Sequence, residues 1–340
     1  MGLIRKGFKL AAAMTGGYLG YLAAARREYD LAGKVVVITD GSRGLGLALA
    51  ESFAARGCRV AICARDGIEL ERAADRLRER GAEVFFAVCD VTDRREVDAF
   101  LEEVHAAFGV VDVLVNNASI IQVGPLDVMR EDDFRRAMDV NYWGTVNCTF
   151  AALPLLRRSK GRIVNITSIG GEVAIPHLLP YDTAKFAVRG FSEGLRAELQ
   201  KDGVWVTTVV PGLMRTGSPV HAEFKGSPAK EFAWFVLGDA LPFTSMNAKR
   251  AAERIVTACE RGEAKVTLSW QAKLLRMAHA LLPGTTLDVL GLVNRLLPRG
   301  GGQSDRGKRG LDIDSPFSIL VERDAQRFNE YGGTQAPAEA

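Results

Sequence analysis

The chain has 340 residues, 47% of them hydrophobic and 25% charged, with a formal net charge of +3. That is enough for one large core with extensions or two modest domains, and so mild a basic excess excludes a surface built for nucleic acid. Cys58, Cys63, Cys89, Cys148 and Cys259 are odd in number and scattered, without a C-x-x-C pair. Buried free thiols in a reducing compartment are expected, not a disulfide framework. His105, His177, His221 and His279 lack metal-ligand spacing, so no catalytic metal is expected.

Arg5, Lys6 and Lys9 precede an uncharged run from Leu10 to Ala25, and Arg26 and Arg27 follow it. The run falls short of the ~20 residues that span a bilayer and is rich in Gly and Ala. A signal-peptide core has the same outline, but an interfacial helix or a packed N-terminal arm fits the rest of the chain better. From Lys34 onward, short apolar runs alternate with helical patterns, and 35–39 is a continuous β-branched run. Strands are expected over 35–39, 59–64, 83–88, 111–115, 162–167 and 204–210, and helices over 45–56, 66–80, 92–108, 133–140, 145–157 and 182–200. Continuous apolar strands separated by amphipathic helices mean βαβ units, hence an α/β fold with a doubly wound parallel sheet. Ligands of such a sheet lie beyond the C-terminal ends of its strands. After Ser269 the pattern becomes helical, over 274–282 and 285–297 with Pro283-Gly284 between. A charged, glycine-rich linker over 299–309 and a weakly ordered last thirty residues follow.

Thr39-Asp40-Gly41-Ser42-Arg43-Gly44-Leu45-Gly46 joins the first strand to the first helix. Glycines there let the backbone approach a dinucleotide's pyrophosphate, whose charge then lies at a helix N-terminus. The second strand ends in Cys63-Ala64-Arg65, where a site for an unphosphorylated ribose carries an acid. Arg43 and Arg65 suit a 2′-phosphate instead, so NADP(H) is expected over NAD(H). Tyr181 and Lys185 are four apart at a helix start and share a face. A free tyrosine titrates near pH ~10, too high for acid–base work at neutrality, and a neighbouring ammonium lowers it. Ser168 stands 13 residues upstream of Tyr181 with Asn165 in the same run; Asn116-Asn117-Ala118 ends the preceding strand, Asn141 lies in Asp139-Val140-Asn141-Tyr142-Trp143-Gly144, and Pro211-Gly212 ends the following strand.

With these motifs, residues 31–269 resemble the short-chain dehydrogenase/reductase family, whose sheet is of Rossmann type. The resemblance implies that Tyr181 is the general acid or base, that Lys185 lowers its pKa and bonds the nicotinamide ribose, and that Ser168 polarises the substrate oxygen. It implies that Asn141 holds a proton-relaying water, that Asp90, beside Val91, contacts adenine, and that Asn116, with Asn117 next to it, steadies the sheet near the cofactor. Pro211, Gly212 and Thr216 match the loop on the carboxamide. Two departures stand out. Asp40 replaces the glycine of the usual Thr-Gly, which sets a carboxylate near a diphosphate at a position suited to glycine, and Ser119 replaces the glycine after Asn-Asn-Ala.

Three segments are therefore expected: an N-terminal arm (1–30), a dinucleotide-binding catalytic domain (31–270) and a C-terminal helical extension with its tail (271–340). The apolar residues of 212–241 (Leu213, Met214, Phe224, Phe232, Trp234, Phe235, Leu237) favour a lipid-, ketoacyl- or steroid-like substrate. Trp234, Phe235 and Phe232 are expected in the core or a lid, His177 at the substrate mouth or in solvent, and Glu172 as a specificity residue. A cytoplasmic protein is expected. Its arm and leucine-rich extension, edged by Lys273, Arg276, Arg295 and Arg299, would contact a membrane peripherally or bury themselves in a homo-oligomer. Two alternatives are a cofactor-binding scaffold or sensor with little turnover, to which Asp40 points, and an epimerase or dehydratase on the same scaffold. The Asn141, Ser168, Tyr181 and Lys185 set favours an oxidoreductase.

Overall fold

The computed structural model describes residues 29–240, 245–299 and 306–331, together with Gly16 and Gly17; the Leu10–Ala25 run otherwise lies outside the described residues. The seven strands of the main sheet are β1 (Val35–Thr39), β2 (Arg59–Ala64), β3 (Val84–Val88), β4 (Val113–Asn116), β6 (Arg162–Ile166), β7 (Trp205–Val210) and β11 (Lys265–Thr267). Their order is β3-β2-β1-β4-β6-β7-β11, and every pairing is parallel. β1 is buried along its whole length because helices cover both faces, which is why it reads as an unbroken apolar run. Val36 and Ile38 pack with α1 (Gly44–Ala54) and α8 (Ala248–Glu260), while Val35 and Val37 pack with α3 (Arg94–Phe108) and α5 (Gly144–Ser159). α2 (Gly67–Arg78) completes the first half of the winding.

The chain leaves β1 toward β2 on one side and reaches β4 on the other, so the strand order reverses at β1 and opens a crevice above it. A buried polar chain ties the sheet together behind that crevice. Asn116 Nδ2 donates to Thr149 Oγ1 (3.0 Å) and Asn165 Oδ1 (2.8 Å), Asn165 Nδ2 donates to Ser192 Oγ (3.0 Å), and the Ser192 and Thr208 hydroxyls share a bond of 2.7 Å. These side chains come from β4, α5, β6, β7 and α6 (Leu179–Leu199), so one network fixes five elements in register.

The helix expected over 133–140 is instead α4 (Glu131–Ala137) running into a π-helical turn (Met138–Trp143) that carries Asn141. α7 (Pro228–Ala240), α8 and β11 were not anticipated. The 274–282 and 285–297 helices appear as α9 (Trp270–Leu281) and α10 (Pro283–Asn294), with Pro283 in the first turn of α10, where its missing N–H costs nothing.

The expectation of a weakly ordered tail needs correction for residues 311–331. Just upstream, β12 (Lys308–Arg309) pairs with β9 (Glu223–Phe224), which pairs in turn with β5 (Gln122–Val123). α11 (Ile319–Arg327) buries Val321 and Ala325, and Phe328 reaches the main core. Three apolar anchors at the spacing of one helical face outweigh the charged residues between them.

Candidate active site

The glycine-rich loop is fastened at the crevice. Thr39 Oγ1 accepts from the amides of Asn117 (2.9 Å) and Ala118 (3.0 Å), and Asn117 Nδ2 donates to the carbonyls of Thr39 and Asp40, each at 3.1 Å. Gly46 leaves no room for a side chain: a Cβ there would sit 2.0 Å from the Asp40 carbonyl oxygen. Asp40 itself adopts φ +50°, the left-handed region that glycine enters freely and aspartate enters at modest cost. The loop thus takes at Asp40 a conformation that glycine adopts freely, with a carboxylate added.

Ser42 is fully buried and donates to Glu69 (3.3 Å). Arg43 donates to both oxygens of Glu69 (3.2 Å each) and lies 3.6 Å from Glu330. Burial pulls its guanidinium down, but the carboxylates of Asp40, Glu330 and Glu69 outweigh that and hold it above its ordinary value. Arg65 is exposed at the end of β2, and the carboxylate of neighbouring Asp66 is committed to capping α2 through the amides of Ile68 (2.9 Å) and Glu69 (3.0 Å).

Ser168 stands just past β6, its Oγ accepting the Gly170 amide at 3.0 Å. α6 presents Tyr181 in its first turn and Lys185 one turn later. The Tyr181 hydroxyl faces Ser168, and the Lys185 ammonium lies 5.6 Å from the Tyr181 ring centre. Lys185 is buried and donates to the Ile166 carbonyl at 3.1 Å. Burial pushes Tyr181 up to about 12 although the Ser168 hydroxyl pulls it down, and burial brings Lys185 down to about 7. In the protein alone desolvation, with the neighbouring Asp182 carboxylate, sets the direction of the Tyr181 shift. Asp182, unnoticed in the sequence, is buried beside them. Desolvation raises it to about 8 against the pull of the Ile175 amide.

One cavity of about 1390 Å³ joins these groups, and Arg43, Gly44, Leu45, Arg65, Asn117, Ser168, Tyr181, Lys185, Pro211, Gly212 and Thr216 all line it. Thr39, Gly41, Ser42 and Gly46 are not in its wall. Asn141 is buried behind it, its side chain exchanging two hydrogen bonds with the Ile120 backbone at 3.0 and 3.2 Å. Asp90 and Val91 also lie outside the wall: Asp90 accepts from the amide and hydroxyl of Thr92, and Val91 is buried against Gly144. Of the apolar residues expected at the substrate, Leu213, Met214, Trp234 and Phe235 line the cavity, together with Ile120, Ile121, Ile175, Leu178 and Leu275, which were not anticipated. Phe224 and Phe232 are core residues, and Leu237 is partly exposed away from the wall.

His177 neither faces solvent nor lines the mouth. It is buried at φ +68° with Nδ1 2.9 Å from Glu231 Oε2, and Glu231 also accepts from Trp234 Nε1 (2.6 Å). Glu172, expected as a specificity residue, does not line the cavity; it is the centre of an ion-pair group with Arg189 (3.2 Å) and Lys265. The five cysteines are free and buried.

A family model described as short chain dehydrogenase matches residues 34–223. The chain is 40% identical over 203 residues to a dehydrogenase/reductase SDR family protein 7-like of Anopheles gambiae, covering 58% of this chain and 64% of that protein, so it spans less than two thirds of that relative. It is 34% identical over 300 residues to 11-beta-hydroxysteroid dehydrogenase A of Sesamum indicum, covering 87% of this chain and 86% of the relative. A crystal structure of L-sorbose reductase from Gluconobacter frateurii, complexed with NADPH and L-sorbose, superposes with a TM-score of 0.64 at 26% identity, covering 71% of this chain and 97% of that one. A matched model across more than half the chain, with a parallel sheet wound around the matched motifs, shows that this protein belongs to the short-chain dehydrogenase/reductase family of oxidoreductases.

Proposed function

We propose that this oxidoreductase uses NADP(H) to interconvert a ketone and a secondary alcohol on an apolar substrate. The observation that carries the reading is the Ser168–Tyr181–Lys185 group on the wall of a cavity that continues to the glycine-rich loop. The loop suits a dinucleotide because Gly46 allows the Asp40 backbone to fold onto the start of α1, a cradle that any Cβ would fill. Asn117, Pro211, Gly212 and Thr216 would hold the rest of the cofactor.

The nicotinamide, when bound, supplies or accepts the hydride. Tyr181 would pass its proton to the substrate oxygen, or take it in the reverse direction. Ser168 would orient that oxygen and donate to its developing charge. Lys185, anchored on the Ile166 carbonyl, would hold the ribose and, when protonated, favour the phenolate. Asn141, locked to the Ile120 backbone, would keep the π-helical turn in place behind the reacting groups.

Preference for NADP(H) now rests on Arg65 more than on Arg43, since Arg43 is neutralised by Glu69 and Glu330 while no ion pair of Arg65 is present among the described residues. Ala64 leaves no acid at the end of β2, and Asp66 is occupied as a helix cap. The apolar wall supports a lipid- or steroid-like substrate, as does the name of the sesame relative. Fluorescence titration with both cofactors tests the preference. NADPH should bind the wild type at least tenfold more tightly, and Arg65→Asp should reverse the order; equal affinities in the wild type would refute it. The exposed faces of α9 and α10 support peripheral contact with an anionic membrane.

A further inference from the structure

The segment that follows α11 meets the glycine-rich loop. After α11, Asn329 turns at φ +59° and its side-chain amide donates to the carbonyls of Ser42 (2.8 Å) and Glu69 (3.0 Å). The Phe328 carbonyl accepts the amide of Gly44, the first residue of α1, at 2.9 Å. Glu330 is 2% exposed. Its carboxylate lies 3.6 Å from Arg43 Nε and 3.3 Å from His221 Nε2, and that ring nitrogen also meets the Glu330 carbonyl at 2.6 Å. A Cβ on Gly44 would fall 2.7 Å from Glu330 Oε1 and 3.9 Å from Thr216 Cβ, so the carboxylate sits between the loop and the segment following β7.

The first amide of a helix and an arginine are the partners a phosphate seeks. Here the Glu330 carboxylate already holds the arginine, beside the Phe328 carbonyl that caps the amide from the anchored end of α11. We propose that residues 329–331, led by Glu330, are an intramolecular plug: the carboxylate stands in for a cofactor phosphate, and a dinucleotide must displace this tip to seat its own. The inference rests on the dinucleotide reading of the loop given above. Displacement need not unfold the tail. Val321, Ala325 and Phe328 are the buried anchors, and Gly217 packs so closely that a Cβ there would lie 2.4 Å from Ala325 Cα. The moving part is the short stretch beyond them, held by the Asn329 and Glu330 contacts and by the Tyr331 carbonyl, which accepts from Arg72 (2.6 Å).

Binding of NADPH to the wild type, to Glu330→Gln and to Asn329→Gly, which keeps the left-handed backbone but removes the amide that holds the tip, tests this, alongside amide hydrogen exchange of residues 319–331 with and without NADPH. A tip closed nine-tenths of the time weakens apparent affinity about tenfold. The two variants should therefore bind NADPH about tenfold more tightly than the wild type, and NADPH should speed exchange at Asn329 and Glu330 while slowing it across residues 40–46. Equal or weaker binding by both variants, or slower exchange at the tip with NADPH, would overturn the plug. If neither NADPH nor NADH bound to any of the three chains, the dinucleotide reading would fall and the plug with it.

Discussion

At the scale of single residues, burial governs Tyr181 and Lys185 more than charge does, while at Arg43 charge wins. The Tyr181–Lys185 spacing was plain in the sequence, but depth of burial is a property of the assembled fold, and so the direction of both pKa shifts was not. Lys185 gives a measurable consequence. Its folded value is depressed to about 7 by burial, against 10.5 for the free side chain. Between those values the unfolded chain binds the proton and the folded chain does not, so wild-type stability rises with pH across that window. The cost is complete below about pH 7. Lys185→Met should therefore melt at a higher temperature than the wild type at pH 6, and the difference should shrink by pH 9 while turnover is lost at both. A pH-independent difference in melting temperature would contradict the burial argument. Asp40 shows a second limit: the missing glycine was visible, but not that the aspartate takes a left-handed backbone. Glu330 was invisible, because nothing local marks a residue 286 positions after Gly44 as its neighbour.

Among the elements, those legible in the sequence are those with a strong period. β1, β2 and β4 are largely apolar runs buried on both faces, and α3 and α6 carry clear amphipathic stripes. β11 has three residues, too few to show a pattern, and α4 hides its change to a π-helical turn because the hydrophobic spacing barely alters. α8 was legible and overlooked: Asn247 caps it, and Ala251, Ala252, Ile255 and Cys259 mark its buried stripe. α9 and α10 were foreseen, and their outer faces carry the next prediction. Leu274, Met277, Leu281, Leu287, Leu292 and Leu296 are exposed there, and residues 270–299 contain Lys273, Arg276, Arg295 and Arg299 but a single acid, Asp288. Each basic residue near an anionic surface contributes about 1 kcal/mol, and salt screens that part. The protein should float with phosphatidylserine-containing vesicles at low salt and be released at high salt. Dimerisation that persists in high salt without flotation would mean that the face is buried between copies, and a monomer that never floats would rule out both.

Over the whole molecule, one doubly wound sheet supplies the loop, the Ser168–Tyr181–Lys185 wall and the cavity between them, while the segment from β12 to Tyr331 returns to close one side. The sheet was readable because each βαβ unit announces itself locally. The return of the tail was not, since its partners, from Ser42 and Glu69 to Gly217, His221 and Glu223–Phe224, lie far from it in sequence. Among the described residues no helix is long and apolar enough to cross a membrane. The central claim is that this chain catalyses cofactor-dependent carbonyl reduction through Tyr181, and steady-state NADPH oxidation over aldehydes, ketones, ketoacyl thioesters and steroids tests it most directly, with Tyr181→Phe beside the wild type. The wild type should turn over at least one apolar ketone, and the variant should lose 10²–10⁴-fold in kcat while its NADPH dissociation constant stays within about twofold. Undiminished kcat in Tyr181→Phe, or a wild type that binds NADPH and reduces nothing in the panel, would contradict the account.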